Sequence, residues 1–586
     1  MHPFARHLLT LALGALAVAA WAPLAWWPLA LLAYGLMFSL IGATARPVAA
    51  ASAGLRFGLG LHLTGHGWIY STMAGPVGMD SASAVLATAL LLTGLALFTA
   101  LPCALHVWLL KNFTDWIVPY WLQAASFASL MTLAEMARAL VFERFSSLSL
   151  GYALMDTWLA GWAPVLGAYG LSWIGYWMAA TLALSMTPAR QTAPRRLQDA
   201  IPVVTCLLMG LLLLQVQWTA ALAKPLHFRL LQPHTLQDSK FDLAFRAGIS
   251  QQLLDLLTAE PADLVVAPET AFPMYWNELP GGTLSALHDF ATQSGSHLVF
   301  GIATVGNQAQ GHNSLVHLQP HGTGVSRYDK IHLFPFGEYA PPGLGWISRK
   351  LAIPMQDLSP GAAAQPPFTL VKQGQTLAIG SLICHENMLS DEVRRWAPKV
   401  NLLINPGNMA WFDGTLAVDQ GQQITRMRAL EVGRPILRVS NTGDTALILA
   451  SGAVADALPV GVAASLAGTV TGRTGLTPYV RWGDWPVSAI CLLGIASALW
   501  VGKANPRRWL PSQKREVEAQ ASAGRADGTM ALTLMQAPVL AHSRCEESAP
   551  TPHRRAGPGG EWCSGYGWHR SARPGWPRCQ SSQRPG

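Results

Sequence analysis

The stretch Leu377-Ala378-Ile379-Gly380-Ser381-Leu382-Ile383-Cys384-His385-Glu386 decides how the rest of the chain is interpreted. Its first seven residues form an apolar run with the length and bounds of a buried strand. Cys384 comes at the end of this strand and is followed at once by polar residues. A thiol in that position can reach a cleft at the edge of a sheet, so the stretch predicts a nucleophile on an α/β domain.

Two further stretches carry the side chains that a cysteine nucleophile needs. Val265-Val266-Ala267-Pro268-Glu269 is a second apolar strand that ends in a carboxylate, and Tyr328-Asp329-Lys330-Ile331-His332-Leu333 carries a lysine. Because a neutral thiol reacts poorly, it needs a base or a positive neighbour. We expect Glu269 to take the proton and Lys330 to stabilise the thiolate and the later oxyanion. The backbone N–H of His385 is a candidate second oxyanion donor.

The composition indicates a membrane protein. Hydrophobic residues make up 51% of the 586 residues and charged residues 12%, with a mean hydropathy of +0.27. Because soluble domains carry about 25% charged residues, we expect much of the chain to lie in lipid. The net charge of +8 falls largely in short loops and in the C-terminal tail. No basic stripe interleaved with aromatics is present in the large polar region, so nucleic acid is not an expected partner.

The cysteine pattern predicts a free thiol and no metal or other cofactor. The seven cysteines show no metal-ligand spacing; they are Cys103, Cys206, Cys384, Cys491, Cys545, Cys563 and Cys579. Cys384 is the only one between residues 226 and 483, so that region cannot form an internal disulfide. A lone cysteine is usually a small buried apolar residue. Glu269 and Lys330 favour the nucleophile instead.

Apolar segments that approach or exceed the length needed to cross a bilayer recur along the chain. Two lie within residues 7–42, and the others cover about 57–73, 83–110, 116–140, 161–186, 200–220 and 485–502. We interpret the first as a span rather than a signal peptide, because apolar segments continue without a polar mature start. The sequence predicts a multi-pass α-helical membrane domain with about eight spans: seven within residues 1–225 and one at 484–503.

Basic residues in alternate loops set the predicted orientation. They are Arg6, Arg46, Arg56, Lys111, Arg190, Arg195, Arg196, Lys503, Arg507 and Arg508. The positive-inside bias places these loops and both termini in the cytoplasm. The polar segment between spans seven and eight then faces outward, and in the inner membrane of a Gram-negative bacterial cell this is the periplasm.

Ionisable residues within the predicted spans allow two interpretations. Glu135 and Arg138 lie three residues apart on one helix, and His62 and His66 lie in the third span. Such groups are costly in lipid and tend to mark function. Alternatively, Glu135 and Arg138 lie near the end of a span and extend to the bilayer surface.

Residues 226–483 read as a separate α/β domain, because strand and helix patterns alternate over a length that can bury a full core. The predicted strands are 227–232, 264–267, 297–301, 315–318, 377–383 and 402–405, and the predicted helices are 246–257, 284–294 and 417–431. Residues 504–586 are rich in Gly, Pro, Ser and Arg, which predicts a disordered cytoplasmic tail.

Several stretches together resemble the apolipoprotein N-acyltransferases, the membrane branch of the nitrilase superfamily. The resemblance spans about residues 1–503 and leaves out the tail. The stretches are Ala267-Pro268-Glu269-Thr270-Ala271-Phe272-Pro273, residues 328–339, Ile383-Cys384-His385-Glu386, Ala410-Trp411-Phe412, residues 426–431 and residues 473–479.

The resemblance implies a four-layer α-β-β-α nitrilase-like domain and a set of site residues. Glu269, Lys330 and Cys384 match the catalytic triad, and Glu338 matches a second carboxylate that shapes the site. The supporting or substrate-binding candidates are His385, Glu386, Asn313, Trp411 and Phe241. His385 stands where the family often has Tyr, Phe241 where we expect Trp, and Asn405-Pro406-Gly407-Asn408 where a Ser-Asn-Asp type of turn is usual.

The implied reaction is a ping-pong acyl transfer. Cys384 attacks an acyl ester of a membrane phospholipid, for which phosphatidylethanolamine is the expected donor, and lysophospholipid leaves. The α-amine of the S-diacylglyceryl cysteine of an apolipoprotein then takes the acyl chain from the thioester. The expected partners are these two lipid substrates and the bilayer, and we expect a monomer.

Two other functions remain open at this point. A membrane-anchored amidase of the nitrilase type would use the same triad to hydrolyse a C–N bond, with water attacking the thioester. A non-enzymatic membrane binding protein would use the α/β domain only to bind. It predicts that Cys384→Ser has no effect.

Overall fold

The computed structural model describes residues 3–44, 46–113, 120–142, 145–186, 193–306, 310–321, 324–340, 343, 345 and 357–504. The N-terminal part is helical. Its helices are α1 (Pro3–Ala17), α2 (Trp27–Gly42), α3 (Pro47–Gly65), α4 (Trp68–Ala74), α5 (Ser81–Phe113), α6 (Tyr120–Val141), α7 (Leu150–Ala153), α8 (Ala163–Ser185) and α9 (Ala193–Leu213). The predicted tail lies outside the described residues, apart from its first residue.

A helix is present at each predicted span, but the number that crosses a membrane stays a prediction. By length and composition, two described helices can cross, at Ser81–Lys111 and Tyr120–Val141. Shorter apolar helices lie at Phe4–Ala20, Trp27–Gly42, Gln198–Leu213 and Trp485–Trp500. Apolar segments of this length are also found in buried cores, so hydropathy alone does not give a count.

The predicted bounds of the third span were wrong. Helix α3 begins at Pro47, about ten residues earlier, because proline suits the first position of a helix. Arg56 therefore lies inside α3 rather than in a loop, and its Nε donates to Thr10 Oγ1 of α1 at 3.1 Å. The helices pack closely enough that a Cβ on Gly60 would lie 2.0 Å from the carbonyl oxygen of Leu11. The close packing of α3 against α1 thus depends on a small residue at this contact.

The ionisable residues of the helical part are buried within it. Glu135 and Arg138 are 6% and 4% exposed, so the interpretation that they extend to the bilayer surface is wrong. Glu135 Oε1 accepts hydrogen bonds from Tyr176 Oη at 2.7 Å and from the N–H of Leu150 at 2.8 Å. Arg138 donates to the carbonyl oxygen of Ser147 at 2.9 Å. These bonds tie α6 to α8 and to the loop before α7.

The α/β part contains two large sheets and a two-stranded ribbon. The strands are β1 (Ala220–Ala221), β2 (Leu226–Gln232), β3 (Leu264–Val266), β4 (Phe272–Tyr275), β5 (His297–Val305), β6 (Gly311–Leu318), β7 (Val325–Asp329), β8 (Phe368–Lys372), β9 (Gln375–Ser381), β10 (Leu402–Gly407), β11 (Ile436–Ser440), β12 (Ala446–Ile448), β13 (Val454–Ala457), β14 (Ala464–Val470) and β15 (Arg473–Thr474). One sheet has the order β14-β2-β3-β5-β6-β7 with β4 beside β5, and the other has β13-β12-β11-β10-β9-β8. Strands β2-β3-β5 and β9-β10-β11 run parallel, and antiparallel strands flank them.

The helices of this part are α10 (Gln237–Lys240), α11 (Leu243–Thr258), α12 (Gly281–Ser294), α13 (Ser390–Trp396), α14 (Leu416–Val432), α15 (Pro478–Trp482) and α16 (Trp485–Ala504). The inner faces of the two sheets share one apolar core, in which Leu230 and Val266 of one sheet pack with Ile379 and Leu403 of the other. Helices α11 and α12 cover the outer face of the first sheet, with Leu253 and Leu287 in a second core. Helices α13 and α14 cover the other sheet. The layers follow the order α-β-β-α that the resemblance implied.

Helix α14 packs on both parts of the molecule. Ala429 and Val432 belong to the apolar core of the α/β domain. Ile424, Met427 and Leu430 belong to the core of the helical part. Because residues three and four apart share a helix face, α14 presents one apolar face to each side. It fixes the α/β domain directly against the helical part.

Candidate active site

Cys384 lies on a sharp turn at the end of β9. It opens a short 3-10 helix, Cys384–Met388, with φ of +52°. A residue with a Cβ is disfavoured in this left-handed region, so surrounding contacts must hold the turn. Asn405 at the end of β10 does so, because its Nδ2 donates to the carbonyl oxygens of Leu382 and Cys384 at 2.8 and 2.9 Å. Cys384 as a whole residue is half-buried in this turn.

The predicted base and lysine form a buried ion pair. Glu269 follows β3, and Lys330 follows β7 directly. Lys330 Nζ lies 2.9 Å from Glu269 Oε1 and 2.8 Å from Glu338 Oε2. The Lys330 side chain is 2% exposed, so its ammonium is held between two carboxylates away from water. The structure thus brings together Glu269, Lys330 and Glu338, all three of which were predicted as site residues from the sequence.

Asn313 of β6 joins the two carboxylates. Its Nδ2 donates to Glu269 Oε1 at 2.7 Å and to Glu338 Oε1 at 2.5 Å. The other Glu269 oxygen accepts the backbone N–H of Asn408 at 3.0 Å. These bonds fix the orientation of Glu269, because both of its oxygens have partners.

The ion pairs set the protonation states around the thiol. Burial alone would raise the pKa of Glu269, but the Lys330 ammonium and the Asn313 amide lower it below its ordinary value. Burial alone would lower the pKa of Lys330, but Glu269 and Glu338 raise it well above its ordinary value. The base is therefore ionised and the lysine charged at neutral pH.

The thiol of Cys384 is neutral at rest. Burial, followed by the Glu269 carboxylate, raises its pKa to about 12, and the Lys330 ammonium opposes this rise. A thiol with this pKa reacts only if its proton is taken during the attack. Glu269, which is ionised and fixed, is the group in the site that can take it.

Glu386 lies behind the site and connects its two loops. Its Oε2 accepts the N–H of Ile383 at 2.7 Å and Tyr328 Oη at 2.9 Å. Its Oε1 accepts the N–H groups of Ile331 at 2.8 Å and His332 at 3.0 Å. The carboxylate is fully buried and holds the Lys330 loop against the Cys384 turn. This geometry favours a positioning role over substrate contact.

The remaining predicted residues are His385, Trp411 and Phe241. His385 is partly exposed and its ring lies edge-on to Phe334, with 5.4 Å between ring centroids. Half-buried Trp411 belongs to the 3-10 helix Met409–Phe412, and its carbonyl oxygen accepts Thr72 Oγ1 of α4 at 3.3 Å. Phe241 is half-buried at the end of α10. Their roles in substrate binding stay predictions.

Sequence reasoning missed Lys240 and Asn408 as parts of the site. Lys240 is 2% exposed, and its Nζ lies 3.3 Å from the carbonyl oxygen of Glu269. Both residues occur in stretches that were singled out only for departing from the family pattern. A lysine between two aspartates reads as a surface residue, so no sequence signal marked its burial.

Comparison with known proteins finds family models that match both parts of the chain. The carbon-nitrogen hydrolase family model matches residues 230–464. The apolipoprotein N-acyltransferase N-terminal domain model matches residues 13–181. A CN-hydrolase superfamily protein from Xanthomonas campestris aligns in structure at 18% identity with a TM-score of 0.31, covering 46% of this chain and 96% of that chain.

Named relatives cover most of both chains. An apolipoprotein N-acyltransferase of Bordetella bronchiseptica is 36% identical over an alignment of 477 residues that covers 75% of this chain and 85% of the relative. Another, of Ralstonia nicotianae, is 37% identical over 459 residues, covering 77% and 84%. The alignments span the helical part as well as the nitrilase-like domain. This chain therefore belongs to the apolipoprotein N-acyltransferase family.

Proposed function

We propose that this enzyme transfers an acyl chain from a membrane phospholipid, through a thioester on Cys384, to the N-terminal amine of the S-diacylglyceryl cysteine of apolipoproteins. The observation that carries the proposal is the packing of a nitrilase-like site directly on an apolar helical part through α14. Both substrates are lipids, and a soluble domain would have difficulty reaching their esters and amines at a bilayer. The helical part holds the thiol where such substrates are found.

The first half-reaction forms the thioester. Glu269 takes the Cys384 proton as sulfur attacks the ester carbonyl carbon, and Lys330 stabilises the oxyanion. As the carbon–oxygen bond to glycerol breaks, the proton held by Glu269 passes to the departing oxygen. Lysophospholipid leaves with that proton, and Glu269 is again ionised.

The second half-reaction consumes the thioester. The neutral α-amine of the lipoprotein attacks the thioester carbonyl carbon and gives a proton to Glu269. The carbon–sulfur bond breaks as the amide forms, and the thiolate takes the proton back. Exclusion of water protects the thioester until the amine arrives.

The surrounding residues support these steps. Glu338 and Asn313 hold Lys330 and Glu269 in place, and Glu386 holds the two loops together. The backbone N–H of His385 is a second oxyanion donor. Trp411 and Phe241 contact the lipid substrates beside the site.

The proposed topology rests on the sequence pattern, and the proposed partners rest on the resemblance to the family. Residues 1–225 supply seven spans, residues 226–483 form the periplasmic catalytic domain, and residues 484–503 supply the last span. Both termini and the tail of residues 504–586 face the cytoplasm of an inner membrane. The donor is phosphatidylethanolamine, and the enzyme is a monomer.

The test is conversion of a synthetic diacylated lipopeptide by the purified protein in phosphatidylethanolamine vesicles. We expect a product heavier by one acyl chain, and none with Cys384→Ala or with a lipopeptide whose α-amine is acetylated. Release of free fatty acid at the same rate with an unmodified lipopeptide would overturn the proposal and favour a hydrolase.

A further inference from the structure

Lys240 is a second lysine of the site that the triad does not explain. It ends the short helix α10 and is 2% exposed. Its Nζ lies 3.3 Å from the carbonyl oxygen of Glu269 and 3.3 Å from Thr270 Oγ1. A buried ammonium is costly unless its surroundings compensate it, so this placement needs a reason.

The turn that Lys240 holds is itself unusual. Thr270, directly after the base, has φ of +45°, in the left-handed region that a β-branched residue rarely adopts. Lys240 donates to both residues of this turn. Its contacts therefore fix the backbone from which the Glu269 carboxylate projects toward Lys330 and Asn313.

The charges that face Lys240 come from the site and not from its own segment. Glu269 and Cys384 both raise its pKa, although burial is the larger effect and lowers the pKa to about 8. The neighbouring carboxylates in sequence, Asp238 and Asp242, are exposed to solvent. Lys240 is therefore charged at neutral pH and acts on Glu269 and Cys384.

The Lys240 ammonium, together with that of Lys330, balances the negative charges of Glu269 and Glu338. The ammoniums of Lys330 and Lys240 stand against the carboxylates of Glu269 and Glu338. When the Cys384 proton moves to Glu269, the same two ammoniums stand against Glu338 and the new thiolate. Without Lys240, the group formed by Lys330, Glu269, Glu338 and Cys384 would carry one excess negative charge in both states, and that charge opposes ionisation of the thiol.

We propose that Lys240 is a positioning residue that holds the Glu269–Thr270 turn and supplies the positive charge that allows the Cys384 thiolate to form. This inference rests on the proposed function only for the role of Cys384 as the nucleophile. It assigns Lys240 to formation of the thioester, since no contact between Lys240 and either lipid substrate is needed.

The test compares the rate at which iodoacetamide alkylates Cys384 at pH 7, where Lys240 is charged, and follows it by mass spectrometry of the peptide that contains Cys384. Lys240→Gln keeps an amide that can donate to both acceptors but removes the charge. We expect its rate to fall roughly tenfold, which corresponds to a thiol pKa raised by about one unit. Lys240→Arg keeps the charge and should alkylate at a rate close to that of the wild type. Lys399→Gln removes an exposed lysine and serves as the control.

The direction of the change separates charge from packing. A loosened site would expose the thiol and raise the alkylation rate, so an unchanged or faster rate in folded Lys240→Gln overturns the proposal. Should that variant fail to fold, Lys240→Arg decides: a rate within about threefold of wild type supports the charge role, and a tenfold loss refutes it.

The same assay distinguishes this proposal from the function it rests on. Alkylation needs neither phospholipid nor lipopeptide. If the Lys240 variants alkylate as expected while the wild-type protein acylates no lipopeptide, the inference about Lys240 stands and the proposed acyl transfer fails. If the wild-type protein acylates the lipopeptide and Lys240→Gln leaves the alkylation rate unchanged, the reverse holds.

Discussion

Four charged side chains of alternating sign run through the site. Glu338 contacts Lys330 at 2.8 Å, Lys330 contacts Glu269 at 2.9 Å, and Lys240 holds the backbone of Glu269 from the other side. Because each charge is compensated by its neighbours, the group stays charged at neutral pH although it is buried beside Cys384 and burial lowers the pKa of Lys240 to about 8. The arrangement keeps a base ionised in a site from which water must be excluded.

Substitution of Asn313 tests how far this balance of charges depends on one neutral hydrogen-bond donor. Asn313→Ala removes the bonds to Glu269 and Glu338, and we expect acylation of the lipopeptide to slow about tenfold. Asn313→Asp places a third carboxylate against the first two, so we expect a loss of about a hundredfold or more. Steady-state rates of the two variants measure the difference. Equal losses would show that Asn313 acts through packing alone.

The lowered pKa of Glu269 predicts how stability depends on pH. Its folded-state pKa lies below the unfolded value of about 4.3, so its ion pair stabilises the fold above that value. The contribution is lost as pH falls through the lowered folded pKa. We expect the melting temperature of Glu269→Gln to lie below that of the wild type by a constant amount from pH 8 to about 5. The gap should close in more acidic solution, and a gap that widens there would contradict the assignment.

Among single residues, the sequence predicts best the side chains that follow the ends of apolar strands. Glu269 and Cys384 each follow a continuous apolar run, and Lys330 lies in a stretch with family flanks, so their positions were readable. The site role of Lys240 was not, because α10 has no apolar period that would reveal a buried face. The contacts of Glu386 were also hidden, since Tyr328, Ile331 and His332 lie 54 to 58 residues before it in the chain.

At the element scale, parallel strands were predicted well and antiparallel edge strands poorly. Predicted strands at 227–232, 264–267 and 402–405 agree with β2, β3 and β10 to within two residues. Buried parallel strands read as continuous apolar runs, which explains the agreement. Strand β11 was missed although it lies in the core, because Arg438 interrupts its apolar run. Arg438 Nη1 donates to Asn405 Oδ1 at 2.8 Å, which supports the Cys384 turn.

The kink in α8 gives a test at this scale. Gly167 has φ of +69°, and a Cβ there would lie 2.3 Å from the ring of Tyr479. We expect Gly167→Ala to lower the unfolding free energy by more than about 2 kcal/mol, from backbone strain and from the clash. Thermal unfolding in detergent measures the loss.

Gly248 is the matched control for this substitution. It lies inside α11, and a Cβ there would meet no atom within 4 Å. Since alanine is the better helix former, Gly248→Ala should stabilise the protein by up to about 1 kcal/mol. Similar destabilisation by both substitutions would show that the kink at Gly167 has no special requirement.

In the molecule as a whole, α14 joins the nitrilase-like domain to the helical part by packing on both. Met427 is 0% exposed and packs in the helical core. At the kink of α8, Glu431 Oε1 accepts the N–H of Ala168 at 2.7 Å. Neither contact was visible in the sequence, because the apolar positions of α14 alone do not say which partner each face meets.

This packing predicts that the two parts do not fold independently. Met427→Ala leaves a cavity between them and should cost about 2–5 kcal/mol. Asp419→Ala, on an exposed position of the same helix, should cost little. Unfolding followed by heat in detergent compares the two. Equal melting temperatures of the two variants would indicate that α14 does not hold the two parts of the molecule together.

The proposed acyl transfer depends on an acyl thioester on Cys384, and the intact mass of the purified protein after incubation with phospholipid detects this intermediate. We expect a gain of one acyl chain that is absent in Cys384→Ala. Adding diacylated lipopeptide should remove that mass from the protein and leave a triacylated peptide. No adduct on the wild-type protein, or an adduct that water clears while the lipopeptide stays unmodified, would contradict the account.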